Sequence, residues 1–212
     1  LNEQPEAVIN IVDATNIERN LYLTTQILEL GIPVVIALNM MDIVKKKGGR
    51  IDTKRLSEMF GCAVVETSAL KETGLDEAVS MAVNAAGKKE VRIPGKQFSN
   101  EIEEAIDNAD RLLSKGTVPD RQRRWYDIKL LEKDPKVLEH MAFSPEEKDT
   151  LRFITGELEK KFSDDTESII TNERYDYIGK ITASAVRKSA GKLTASDKID
   201  RIVTNRILGI PI

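Results

Sequence analysis

The chain has 212 residues, 41% hydrophobic, 32% charged and 5% aromatic, which suits a helix-rich soluble protein of two domains with a good core. Its 32 basic and 35 acidic residues leave a net charge of −3, so no global field favours nucleic acid. A single cysteine, Cys62, excludes an internal disulfide and fits a reducing compartment, and no apolar stretch approaches the roughly 18 residues needed to span a bilayer.

Leu1-Asn2-Glu3-Gln4-Pro5-Glu6 has neither signal-peptide character nor an initiator methionine, and predicts a chain that opens part-way through a larger domain. Residues 7 to 86 then read as strand–helix units. Ala7 to Val12 predicts a strand ended by Asp13-Ala14-Thr15-Asn16. A helix follows to about Leu30, with Leu21, Thr25, Ile27 and Leu28 on or near one face and Gly31 as its stop. Pro33 leads into the strand Val34-Val35-Ile36-Ala37-Leu38, closed by Asn39-Met40-Met41-Asp42. The run Lys45-Lys46-Lys47-Gly48-Gly49-Arg50 reads as a solvated turn rather than a phosphate site. A helix over Thr53 to Phe60 precedes a strand over Cys62 to Glu66, with Cys62 as a small core residue, closed by Thr67-Ser68-Ala69-Leu70. The next helix reads as capped by Thr73, with Asp76 at the capping-box position and Leu75, Ala78, Val79, Ala82 and Val83 as its buried stripe.

The fold class is therefore α/β: three parallel strands with helices, part of a doubly wound sheet over residues 1–87. Its first strand would keep a long apolar edge. That predicts recruitment of upstream strands, a homo-oligomer or strand-exchanged dimer, or poor stability.

Residues 88–98, around Pro94-Gly95, read as a linker, and 99–212 as a small all-α bundle. Asn100 and Glu103 resemble a capping box for a helix carrying Ile102, Ile106, Ala109, Leu112 and Leu113, stopped near Gly116. In Arg121-Gln122-Arg123-Arg124-Trp125-Tyr126, Trp125 reads as a core anchor and the arginines as a solvated face rather than an RNA-binding surface. Ser144-Pro145-Glu146-Glu147 is a strong helix start. Asp164-Asp165 caps a long helix from about Thr166 to Ala190, and a last helix runs from Ser196 to Gly209. His140 has no neighbours at metal-ligand spacing, and the carboxylates are too dispersed for a catalytic pair.

The two quartets that close the second and third strands carry the chemistry. Guanine offers adjacent N–H donors at N1 and N2, which one carboxylate accepts as a pair and adenine cannot mimic. Asp42 is the candidate base selector, Asn39 suits the N7 edge, and backbone N–H groups near Ser68 and Ala69 suit O6. Both quartets fall where open parallel sheets bind ligands, beyond the carboxyl ends of strands. A phosphate loop is not among the motifs. Gly-Lys occurs at 87, 95, 179 and 191, followed by Lys, Gln, Ile and Leu, none matching G-x-x-x-x-G-K-[ST]. Asp176-Tyr177-Ile178-Gly179, the sole D-x-x-G, falls inside a helical pattern and reads as a coincidence. The motifs thus form a base-recognition half-site.

Asp13-Ala14-Thr15-Asn16-Ile17-Glu18-Arg19-Asn20-Leu21-Tyr22-Leu23-Thr24-Thr25-Gln26, with the two quartets and Asp197-Lys198-Ile199-Asp200-Arg201-Ile202-Val203, closely resembles the ferrous iron transport protein B family of prokaryotes. The resemblance implies the latter part of a cytosolic G domain, a helical domain resembling a guanine-nucleotide dissociation inhibitor, and a following membrane domain of the same polypeptide that moves Fe²⁺. It implies GTP/GDP as ligand, GTP hydrolysis regulating uptake, Mg²⁺ held by residues outside this segment, and a place at the cytoplasmic face of the inner membrane. By position, Asn39 and Asp42 would read guanine, Met40 would replace a usual lysine and pack on the base, and Ser68 and Ala69 would form the second base loop. The segment by itself is predicted inactive, without a nucleic-acid partner. The alternative is a nucleotide-independent helical interaction module with a vestigial half G domain.

Overall fold

The computed structural model describes residues 5–88, 91, 95–113 and 118–187. The expected last helix, the terminal 197–203 segment and part of the linker lie outside the described residues. Three parallel strands, β1 (Val8–Asp13), β2 (Val34–Asn39) and β4 (Ala63–Glu66), form a sheet of order β1-β2-β4. A second, two-stranded antiparallel ladder joins β3 (Arg50–Ile51) to β5 (Val186–Arg187). Around and after the sheet come α1 (Ile17–Glu29), α2 (Met41–Lys46), α3 (Thr53–Phe60), α4 (Leu75–Lys88), α5 (Asn100–Asp110), α6 (Arg123–Leu131), α7 (Pro135–His140), α8 (Pro145–Phe162) and α9 (Thr166–Ala185).

The central strand β2 is buried from Val34 to Leu38 because helices cover both faces, which is why its sequence is an unbroken apolar run. On one face Val12, Ile36 and Leu38 pack with Leu21 of α1, Leu56 and Phe60 of α3, and Ile178, Ile181 and Ala185 of α9. On the other, Val35, Ala37 and Val65 pack with Ala78 and Ala82 of α4, with Ala7, Ala63 and Met81 partly buried beside them. Burying each of the larger aliphatic side chains contributes about 1.5–3 kcal/mol.

The expected stripe on α4 is therefore half right. Ala78 and Ala82 are buried, but Leu75, Val79 and Val83 stand 42%, 53% and 67% exposed beside Ile9 and Ile11 of β1, at 38% and 68%. Among the described residues α4 covers this side of β1 only in part. The helix start is also shifted: Thr73 is held by a backbone bridge to Ser68, and the Gly74 carbonyl accepts the first helical N–H, from Ala78, at 3.1 Å.

Helical starts in the second half follow local chemistry. Ser144 caps α8 reciprocally with Glu147, with Pro145 in the first turn, and Asp165 caps α9 through Ser168 N–H at 2.8 Å. The α5 start moves by one residue: Ser99 is the N-cap, while Glu103 accepts the backbone N–H groups of Gln97 and Phe98 at 2.8 and 2.9 Å. Glu103 also receives a two-pronged bond from Arg124, and Arg123 binds Asp110 and the carbonyls of Asp110 and Leu113. These two arginines are ion-paired and half-buried rather than a solvated face. Trp125 packs edge-on to Tyr126 beside a core of Leu130, Val137 and Leu151.

Helix α9 ends at Ala185, not 190, because Val186 and Arg187 extend to pair with β3. Its first half supplies Ile169 and Ile170 to the helical core with Ile102, Ile128 and Leu158, and its second half enters the sheet core. One helix is thus shared by two cores. Between the halves Arg174, fully buried, forks onto the fully buried Glu29 of α1.

Candidate functional site

Both quartets emerge at the carboxyl end of the sheet, where the parallel ladder continues past the strands. Thr67 N–H donates to Leu38 O at 2.7 Å and Met41 N–H donates to Thr67 O at 3.3 Å. These bonds stitch the two loops side by side. Met41 is buried and anchors α2, whereas Met40 is exposed and left-handed, with φ of 65°. A non-glycine residue in that region stores strain of about 1–3 kcal/mol, a feature common at ligand sites.

Side chains then cross between the loops. Asn39 Oδ1 accepts Ala69 N–H at 3.0 Å, and Ser68 Oγ donates to Asp42 Oδ1 at 3.1 Å. Asn39, Asp42, Ser68 and Ala69 are therefore one cluster, with Met40 on the same turn. The Ala69 N–H, one of the donors that suited O6, is held by Asn39, and this orients the amide so that Nδ2 is the side chain's free-standing donor. Sequence reasoning missed Lys71, whose Nζ lies 3.7 Å from Asp42 Oδ2. Its signal was its place just beyond Thr67-Ser68-Ala69-Leu70.

Burial alone would raise the Asp42 carboxyl. The Ser68 hydroxyl, the Lys71 ammonium and the Ile43 N–H outweigh it and hold the group below its ordinary value. Asp42 is thus an anion at neutral pH, an acceptor for paired N–H donors. Asp13, the register partner of Asn39, stands at the same sheet end. It accepts from Thr15 N–H, Thr15 Oγ1 and Asn16 Nδ2 at 2.8, 2.7 and 3.3 Å, and these bonds outweigh its burial to lower its pKa. The turn they brace leads directly into α1.

The second loop closes through mutual backbone bonds of Ser68 and Thr73, each 3.1 Å. Gly74 completes it at φ of 75°, where an added Cβ would lie 2.1 Å from Glu66 O. Replacing Gly74 by alanine is expected to cost about 2 kcal/mol or more and to lower the melting temperature by roughly 4–8 °C. A melt within a degree of the parent would contradict this packing.

The remaining candidates stand apart. Among the described residues no cluster of His, Cys, Asp and Glu is arranged to hold a metal ion. His140 is exposed at the end of α7, and Asp176 is exposed within α9. A cleft of about 260 Å³, lined in part by Leu28, Pro33, Cys62 and Met81, opens at the amino end of the strands, away from the quartets. Burial pushes the Cys62 thiol up to about 12, so it is inert there.

A parallel sheet with covering helices, paired loops at its carboxyl end and a following helical bundle defines a G domain joined to a helical domain. Residues 1–82 match the family described as Ferrous iron transport protein B, and residues 98–187 match the FeoB cytosolic helical domain. The chain belongs to the ferrous iron transport protein B family. It is 36% identical to the Fe(2+) transport protein A/Fe(2+) transporter FeoB fusion protein of Porphyromonas gingivalis, over 99% of this chain and 26% of that protein. With the Fe(2+) transporter FeoB of Escherichia coli it shares 33% identity over 100% of this chain and 27% of the relative. The chain thus spans about a quarter of these relatives. Among solved structures, a GDP-bound variant of the S. thermophilus FeoB G-domain superposes with a TM-score of 0.82 at 38% identity, covering 88% of this chain and 71% of that one. S. thermophilus NFeoB bound to GDP·AlF4⁻ and K⁺ superposes at 0.74 with 41% identity, covering 80% and 66%. Among the described residues no helix is long and apolar enough to cross a membrane.

Proposed function

We propose that this chain is the guanine-recognising and helical coupling portion of a ferrous iron transporter in which GTP binding and hydrolysis regulate Fe²⁺ uptake. The observation that carries the reading is the meeting of Asn39, Asp42, Ser68 and Ala69 in one cluster at the sheet's carboxyl end. Asp42 accepts guanine N1–H and N2–H, Asn39 Nδ2 addresses N7, Ala69 N–H turns from Asn39 to O6, and Met40 lies against the ring. Solved relatives carrying GDP and GMPPNP support the ligand class.

Residues 1–87 serve as the partial G domain, 88–98 as linker and 99–212 as the helical domain leading toward a membrane domain at the cytoplasmic face. Phosphoryl transfer is mainly electrostatic stabilisation by a phosphate loop, switch residues and Mg²⁺, and the sequence carries no such loop. The partly covered β1 face, with Ile9, Ile11, Leu75, Val79 and Val83, suits a further strand and helix supplied upstream in the same polypeptide. This segment is inactive without them.

Mant-GDP titration of this chain and of one extended upstream tests the reading. The extended protein is expected to bind guanine nucleotides selectively, and Asp42→Ala is expected to weaken that binding by about 10²–10⁴-fold, two charge-assisted hydrogen bonds being lost. Tight binding indifferent to Asp42→Ala would refute the assignment of the base site, whereas no guanine-selective binding by the extended protein would favour a nucleotide-independent module.

A further inference from the structure

Beyond Asp42 the chain runs through α2 and a tight glycine turn into β3, and β3 pairs with β5 at the foot of α9. The ladder sets Ile51 opposite Val186 and Arg50 opposite Arg187. Ile51 is buried in the sheet core with Val186 packed against it, so alternation sends both arginines to the outer face, where both are exposed. Cross-strand partners have Cβ atoms roughly 5 Å apart, and like charges there repel. Among the described residues neither guanidinium has an acidic partner. The fold therefore keeps an unfavourable pair at the point that clamps α9 to the sheet.

More positive charge adjoins it. Lys45, Lys46 and Lys47 are exposed immediately before the turn, and Gly49 lies close enough that its Cβ would be 3.6 Å from Arg187 O. Glu66 neutralises Lys45, Lys47 is engaged by a partner of its own, and Asp52 is occupied in capping α3 through Arg55 N–H. A chain of net charge −3 thus concentrates cations at one corner.

We propose that this corner, centred on Arg50 and Arg187 and flanked by the 45–47 lysines, docks on an anionic membrane surface, whose phospholipid headgroups supply the missing negative charge. The choice of a membrane as occupant rests on the proposed place of the chain in a membrane transporter. Helix α2, about 9 Å long, carries Asp42 in its first turn and Lys45 and Lys46 in its last. The base loop and the docking face are the two ends of one short element.

Vesicle co-sedimentation of the 212-residue chain tests the proposal, with mant-GDP titration of the upstream-extended protein as a separate readout for the nucleotide reading. Binding to phosphatidylglycerol–phosphatidylcholine vesicles at low salt is expected, with little to pure phosphatidylcholine. Each cation lost should lower partitioning about fivefold, so Arg50→Ala with Arg187→Ala costs roughly 25-fold by the same measure. Arg187→Glu should weaken binding about as much while raising the melting temperature by roughly 1–3 °C, because it relieves the cross-strand repulsion. Lys160→Glu, on α8, should change neither. Equal sedimentation of the arginine variants and parent, equal binding to neutral vesicles, or full displacement by inorganic phosphate at constant ionic strength would each overturn it. Such a failure with guanine binding intact removes the docking surface and leaves the nucleotide reading standing.

Discussion

Replacing Arg174 by alanine is expected to lower the unfolding free energy by about 3–5 kcal/mol. The guanidinium is fully buried halfway along α9, where Nη1 and Nη2 donate to Glu29 Oε1 and Oε2 at 2.6 and 2.9 Å. Thr25 Oγ1 lies at 3.4 Å and Glu132 Oε1 at 3.7 Å, and the rings of Tyr22 and Phe98 flank the group at 6.0 and 5.7 Å. The pair gives little net stability relative to well-packed apolar side chains, since both charges leave water. Breaking it is another matter. Alanine leaves Glu29 buried without its partner, and burial already pushes the Glu29 carboxyl above its ordinary value against the pull of Arg174.

That direction fixes the pH dependence. Without Arg174 the folded-state pKa of Glu29 rises further above its unfolded value, so the folded variant binds a proton that the unfolded chain releases. The penalty is largest near neutral pH and shrinks as pH falls through the raised pKa. Urea denaturation of the parent, Arg174→Met, Glu29→Leu and the double variant Glu29→Leu/Arg174→Met should give two costly single changes and a double variant within about 1–2 kcal/mol of the parent. Additive single effects would show that the pair does not act as a unit.

The sequence contained a sign of this pair that motif reading passed over. Arg174 falls four residues after Ile170 and four before Ile178, all buried. Glu29 falls four residues after Thr25 and eight after Leu21 on the buried stripe of α1. An acid on one apolar stripe and a base on another are complementary, but periodicity alone gives no means of matching two helices 145 residues apart. The same limit explains the other departures. The bounds of α3 and the cap of α8 depend on residues within one turn and were legible. Strand β5, two residues long, exists only because β3 lies beside it. The exposure of Leu75, Val79 and Val83 depends on what covers β1, and the burial of Arg123 and Arg124 on where Asp110 and Glu103 stand. Within the site, the quartets announced the residue types, whereas Lys71 and the Asn39–Ala69 bond required the two loops to be laid side by side.

Substituting asparagine for Asp42 is expected to exchange the base preference of the upstream-extended protein from guanine to xanthine. A carboxylate accepts two hydrogen bonds, matching the N1–H and N2–H pair of guanine. An amide offers one acceptor and one donor, matching N1–H and the C2 carbonyl of xanthine. Ser68 Oγ, which donates to Asp42 Oδ1 at 3.1 Å, orients the amide by claiming its oxygen side, and Lys71, exposed and flexible, can yield. Two charge-assisted bonds to guanine are lost and two neutral ones to xanthine gained, so direct titration should show mant-GDP binding weakened by about 10²–10⁴-fold while mant-XDP binding improves. The pH profiles add an independent check. Because the Asp42 pKa lies below its ordinary value, guanine affinity of the parent should hold at neutral pH and fall only as pH drops through that lowered value, a limb the asparagine variant lacks. Equal losses for GDP and XDP would mean that Asp42 braces the two loops through Ser68 without reading the base, and the selectivity would then have to reside in Asn39 and the Ala69 backbone.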